Sequence, residues 1–124
     1  MKESTEPSTL ADFEMVELLA RVDNDRELLR ELLDIFKEDS PRHLQALREA
    51  VARADSAVVA NEAHALKGML SNLSAKPAAA TAAALELLAR QLKTADFPAV
   101  FAFFEKQMAR LLTDVDACLA GVTT

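Results

Sequence analysis

The chain has 124 residues, of which 51% are apolar and 27% charged, and a formal net charge of −6. That length fits one domain with a core of its own, and the acidic balance, with no basic run to track phosphates, argues against nucleic acid as a partner. A single cysteine, Cys118, excludes an internal disulfide and fits a reducing cytoplasm, while the absence of a long apolar run argues against a membrane span.

Alanine and leucine dominate, glycine is rare, and Trp and Tyr are absent, a composition that favours helices. The start, Met1 to Pro7, is polar and lacks a signal-peptide core. Residues 1–8 read as a disordered tail, and 9–122 as one helical domain. Thr9, with Asp12 three residues on, caps a short predicted helix to about Arg21. Asp23-Asn24-Asp25 breaks it, and Asn24 with Glu27 gives the next capping pattern.

The second predicted helix carries Leu29, Leu33, Phe36, Leu44, Leu47, Val51 and Ala54 at steps of mostly three and four. Ser40-Pro41 interrupts it at a cost of about 3 kcal/mol, but the stripe resumes almost in phase, so one long bent helix is expected. Asp55-Ser56 caps a third helix to about Leu73, with Val59, Leu66, Leu70 and Leu73 facing inward. Ser74 and Pro77 open a fourth, with Ala78, Thr81, Leu85, Leu88 and Leu92 on one face. After Thr94-Ala95-Asp96, a fifth helix places Phe97, Phe101, Phe104, Met108, Leu111, Val115 and Cys118 on its core side. The expected fold is all-α: an antiparallel four-helix bundle with a short additional N-terminal helix.

The segment Ala63-His64-Ala65-Leu66-Lys67-Gly68 stands apart. At 100° per residue, His64 shares a helix face with Ala57, Ala60, Asn61, Lys67, Gly68, Ser71 and Ala75, all small or polar. Mid-helix glycine costs roughly 1 kcal/mol relative to alanine, so Gly68, one turn beyond His64, points to space wanted for an incoming partner. A neutral imidazole near pH 7 is a nucleophile for reversible phosphoryl transfer, and Lys67 can neutralise phosphoryl charge. A metal site is disfavoured, since the neighbours one turn away are Ala60, Asn61, Lys67 and Gly68. No nucleotide-binding loop is present, so no cofactor is expected and the phosphoryl group must come from a partner. His43 lacks a ligand pair and reads as a surface residue. Glu62 falls in the apolar stripe and is expected to reach its edge. Cys118 reads as a small core hydrophobe.

Set in a helix of a five-helix chain, this motif resembles the signature of the histidine-containing phosphotransfer (HPt) family of phosphorelays. Phe36-Lys37-Glu38-Asp39-Ser40-Pro41 resembles the family's preceding long helix, and Leu85-Glu86 its leucine-glutamate pair. The resemblance implies that His64 accepts and donates a phosphoryl group, with Lys67 as electrostatic support. Gly68, Asn61, Ser71 and Ala60 are then partner-binding residues. It further implies response-regulator or hybrid-kinase receiver domains as partners, Mg²⁺ held by the receiver, and no kinase activity in this chain. A monomer is expected. Ser74 stands where the family often has glycine, so a modified turn is expected there. The competing readings are a helical interaction module that transfers nothing and, less well supported, a dimerising kinase domain.

Overall fold

In a computed structural model of the chain, residues 22–123 are described together with Leu18 and Ala20; of Val122 and Thr123 only the backbone is described. The expected tail over 1–8 and the helix from Thr9 to about Arg21 lie outside the described residues, Leu18 and Ala20 excepted. Four α-helices follow: α1 Arg26–Arg53, α2 Ser56–Asn72, α3 Lys76–Arg90 and α4 Phe97–Thr123, the last preceded by a 3₁₀ turn at Thr94–Asp96.

Helix α1 starts on Asp25, not Asn24, because Asp23 and Asn24 take left-handed φ of 55° and 60° and form the turn before it. The Asp25 carboxylate accepts from the backbone N–H of Glu27 and Leu28, each at 3.0 Å, satisfying two of the donors a helix start leaves open. Pro41 lies inside α1, which runs on through it as one helix. Asp55 caps α2 through the N–H of Val58.

The three inter-helix turns share one chemistry. Ala54, Ser74 and Leu92 take φ of 54°, 57° and 59°. In each, the following N–H reaches back to the carbonyl five residues earlier: Asp55 to Ala50, Ala75 to Leu70 and Lys93 to Leu88, all at 2.9 Å. This is the glycine-type helix ending, built here without glycine, although the left-handed conformation costs a residue with a Cβ about 1–2 kcal/mol. Ser74 is thus the left-handed closing residue of α2 and not the cap of α3, a position taken by Ala75. Leu92, expected on the core face, closes α3 and is 72% exposed.

Ala54, expected on the stripe of the second helix, is exposed in the turn after α1, and the larger apolar residues of the other stripes go inward. Leu29, Leu33, Phe36 and Leu47 of α1 meet Val59, Leu66 and Leu70 of α2, Ala78 and Leu85 of α3, and Phe97, Phe101, Phe104, Met108, Leu111 and Val115 of α4. Burying each large side chain contributes roughly 1.5–3 kcal/mol, and this packing, more than propensity, holds the helices. Cys118 is half-buried at the edge, where burial raises its thiol pKa. Helix α2 packs against α1 and α3, and α4 closes the ring against α3 and α1. Lys37–Asp116 at 2.7 Å and Arg48–Glu105 at 2.5 Å tie α1 to α4 in antiparallel register. The antiparallel four-helix bundle is therefore present, with no strand among the described residues.

Candidate functional site

His64 projects from the middle of α2 with its side chain 63% exposed. Neighbouring α3 sets Glu86 beneath it, 7% exposed. The Glu86 carboxylate receives three partners. His64 Nδ1 lies 3.1 Å from Oε2 and 3.4 Å from Oε1. Lys67 Nζ lies 3.0 Å from Oε1. Arg90, one turn on along α3, reaches Oε2 with Nη2 at 2.7 Å and Nε at 3.1 Å.

The charge state of Glu86 follows from these contacts. Burial pushes its pKa up, but hydrogen bonds from Arg90 and Lys67 and the charges of Lys67 and His64 outweigh it and hold the carboxyl at about 2. Glu86 is therefore an ionised acceptor at neutral pH, and an ionised carboxylate can only accept. His64 Nδ1 must then carry the proton and donate it. In the neutral ring that leaves Nε2 with its lone pair, the form in which a histidine attacks an electrophile.

The expected face residues divide. Asn61, Gly68 and Ser71 are exposed on α2, and Lys67 is half-buried against Glu86. Ala60, expected on the docking face, is 7% exposed and belongs to the core cluster. It sits on the side of α2 turned to α3, which the wheel projection alone treats as open. Ala75, also expected on that face, lies beyond the end of α2 as the N-cap of α3 and is fully buried. At Gly68 an added Cβ would meet nothing within 4 Å, so the fold itself does not require glycine there.

Sequence reasoning gave Glu86 and Arg90 no role. The i, i+4 spacing of a carboxylate and an arginine was the available signal, but joining it to His64 required the α2–α3 pairing. His43, read as a lone surface residue, is half-buried and pairs through Nδ1 with Glu62 Oε1 at 2.7 Å. The pair bridges α1 and α2 and explains how Glu62 sits at the edge of an apolar stripe. Beside the His64 face, Ile35 is 55% exposed and lines a shallow apolar groove with Leu32, Phe36 and Met69.

No helix among the described residues is long and apolar enough to cross a membrane. Among the described residues no group of three or more His, Cys, Asp or Glu side chains is placed to hold a metal ion.

Comparison with known proteins bears on this geometry. Among solved structures, the chain is similar to histidine-containing phosphotransfer protein B (HptB) from Pseudomonas aeruginosa PAO1, at 24% identity and a TM-score of 0.82, over 94% of this chain and 97% of that one. At that identity the likeness establishes the shared helical fold. No curated protein matches. A family model described as the Hpt domain matches residues 31–118, which span α1 to α4 and include the whole His64–Lys67–Glu86–Arg90 cluster. The chain belongs to the Hpt domain family, the histidine phosphotransfer proteins of phosphorelays.

Proposed function

We propose that His64 is the residue that carries the phosphoryl group, through Nε2, between aspartates of receiver domains. The observation that carries this reading is the Nδ1–Glu86 contact at 3.1 Å, because it sets the tautomer in which Nε2 is the nucleophile. His43 is also held at Nδ1 by a carboxylate. It is more buried, however, and has Ala46 where His64 has Lys67 one turn on.

The receiver's aspartyl phosphate docks over Asn61, Gly68 and Ser71, with the apolar strip at Ile35 and Met69 alongside. The His64 Nε2 lone pair attacks phosphorus in line. The Nε2–P bond forms as the bond from phosphorus to the aspartate oxygen breaks, and the aspartate leaves as carboxylate. Nδ1–H stays on Glu86 throughout, so no proton has to move. The phosphorylated ring carries a positive charge next to the Glu86 carboxylate. On return transfer it leaves as neutral imidazole. Lys67 Nζ rests on Glu86 Oε1 at 3.0 Å and turns from there toward the phosphoryl oxygens to neutralise their charge as the group arrives. The divalent cation of the reaction, Mg²⁺, belongs to the receiver, and this chain supplies position and charge.

The partners in this reading are response-regulator or hybrid-kinase receiver domains, met in the cytoplasm by a monomeric carrier. The test is label transfer from a phosphorylated receiver with Mg²⁺ to the wild type and to His64→Gln. Transfer to the wild type alone supports the assignment. Transfer to both moves the acceptor elsewhere, and transfer to neither leaves an interaction module.

A further inference from the structure

Arg90 stands in the last turn of α3, four residues after Glu86. That order of carboxylate and cation suits an ion pair along a helix, and a cation there also meets the negative end of the helix dipole. Most pairs of this kind lie on solvated faces and contribute little. This one differs in its acceptor. The Arg90 side chain is exposed, but Glu86 is buried. A carboxylate taken out of water needs its counter-charge held in place.

The contacts divide the two carboxylate oxygens. Arg90 donates from both Nε and Nη2 to Oε2, at 3.1 and 2.7 Å. Lys67 reaches Oε1 at 3.0 Å. His64 Nδ1 lies between them, 3.1 Å from Oε2 and 3.4 Å from Oε1. The charged and titratable groups that act on Glu86 are thus His64 and Lys67 from α2 and Arg90 from α3. Two cations serve one anion, and they are not equivalent. Lys67 holds through one ammonium on a flexible stem, which can rotate to another partner. Arg90 holds through two N–H groups of a planar, fixed fork.

The difference matters when Lys67 leaves. In the phosphoryl-transfer reading of His64, on which this inference rests, Lys67 turns from Oε1 to the phosphoryl oxygens. With Lys67 as its only cation, Glu86 would then be a buried charge without a counter-ion, and its attraction would oppose the release of the lysine. With Arg90 on Oε2 the carboxylate keeps a cation, and Oε1 falls vacant for the Nδ1 proton close by. We propose that Arg90 is a positioning residue, holding the Glu86 carboxylate charged and aimed at Nδ1 while Lys67 exchanges Glu86 for the phosphoryl group. Arg90 acts only through Glu86.

The test uses Lys67→Ala to imitate the departed lysine and reads the His64 tautomer by ¹⁵N NMR in mildly alkaline solution, where the ring is neutral. Lys67→Ala is expected to keep the single form protonated at Nδ1. Adding Arg90→Ala to it should give a mixture of tautomers, and adding Arg90→Lys instead should restore the single form in part. The Glu86 carboxyl, followed by ¹³C NMR, should titrate about one pH unit or more higher in Lys67→Ala/Arg90→Ala than in Lys67→Ala. Helicity should match the wild type throughout. These readouts need no phosphoryl transfer, so they judge Arg90 even where His64 proves not to be the acceptor. Arg90→Ala alone should keep the single tautomer yet slow transfer from a phosphorylated receiver by about tenfold, the effect of one charge-assisted hydrogen bond, because Lys67 is then the sole cation on Glu86. A mixture in Lys67→Ala alone, a single tautomer and an unmoved Glu86 midpoint in the double variant, or transfer to Arg90→Ala at the wild-type rate would overturn the proposal and leave Arg90 an ordinary surface ion pair.

Discussion

Replacing Glu86 with glutamine tests the hub directly, because the side chain keeps its shape and loses its charge. In the wild type one carboxylate serves His64, Lys67 and Arg90. Glutamine offers a single acceptor oxygen to those three donors, and its NH₂ can serve none of them. A hydrogen bond to a charged group contributes about 1.5–3 kcal/mol, and one between neutral groups about 0.5–1.5. Glu86→Gln therefore weakens the hold on the His64 Nδ1 proton by roughly 1–1.5 kcal/mol, a factor of about five to ten. Phosphoryl transfer to and from a receiver should slow by about that factor. ¹⁵N-detected NMR of the imidazole should change from one tautomer, protonated at Nδ1, to a mixture. A variant that transfers at the wild-type rate and keeps the single tautomer would refute the role given to Glu86.

Other perturbations separate fold from function. Ser74→Gly should raise stability by about 1 kcal/mol, or a few degrees in Tm, by relieving the left-handed strain and removing a buried hydroxyl without a partner among the described residues; thermal unfolding reads it, and an unchanged or lower Tm would count against the turn. Gly68→Ala should stabilise α2 by up to about 1 kcal/mol, since its Cβ meets nothing, yet weaken receiver docking; calorimetry and a binding titration must move in opposite senses. Glu86, whose pKa falls from 4.5 to about 2 on folding, stabilises the bundle fully above about pH 4.5. Its contribution, up to about 3 kcal/mol, is lost as pH falls through 2. Denaturant unfolding between those pH values should show a slope that Glu86→Gln flattens.

Much of the bundle was legible because its signals are local. The stripes of α1, α2 and α4 repeat at three and four, and Asp55 caps where polar residues interrupt them. His64 and Lys67 were legible for the same reason, since both lie on one turn. Glu86 was singled out only through the Leu85-Glu86 resemblance and without a role, because its meaning lies in the neighbouring helix and depends on how α2 and α3 pair. Ala60 was misplaced by an ideal wheel, which fixes angles around one helix and says nothing of which side its neighbour covers. Ser74 was read as a cap from its side chain, whereas its backbone decides its role. The departure from glycine at that position marks the left-handed conformation that glycine takes without strain. His43 and Glu62 are the same kind of pair as His64 and Glu86, 19 residues apart on two helices, and no local pattern joins them.

The most direct measurement is the position of the phosphoryl group. The chain is phosphorylated by a receiver and Mg²⁺, the modified residue is located by mass spectrometry, and ³¹P–¹H NMR identifies the bonded nitrogen. The structure calls for a phosphoramidate at His64 Nε2, stable in alkali and labile in acid, with Nδ1 still protonated. Phosphate on Nδ1 of His64, or on His43, would contradict the hub as described.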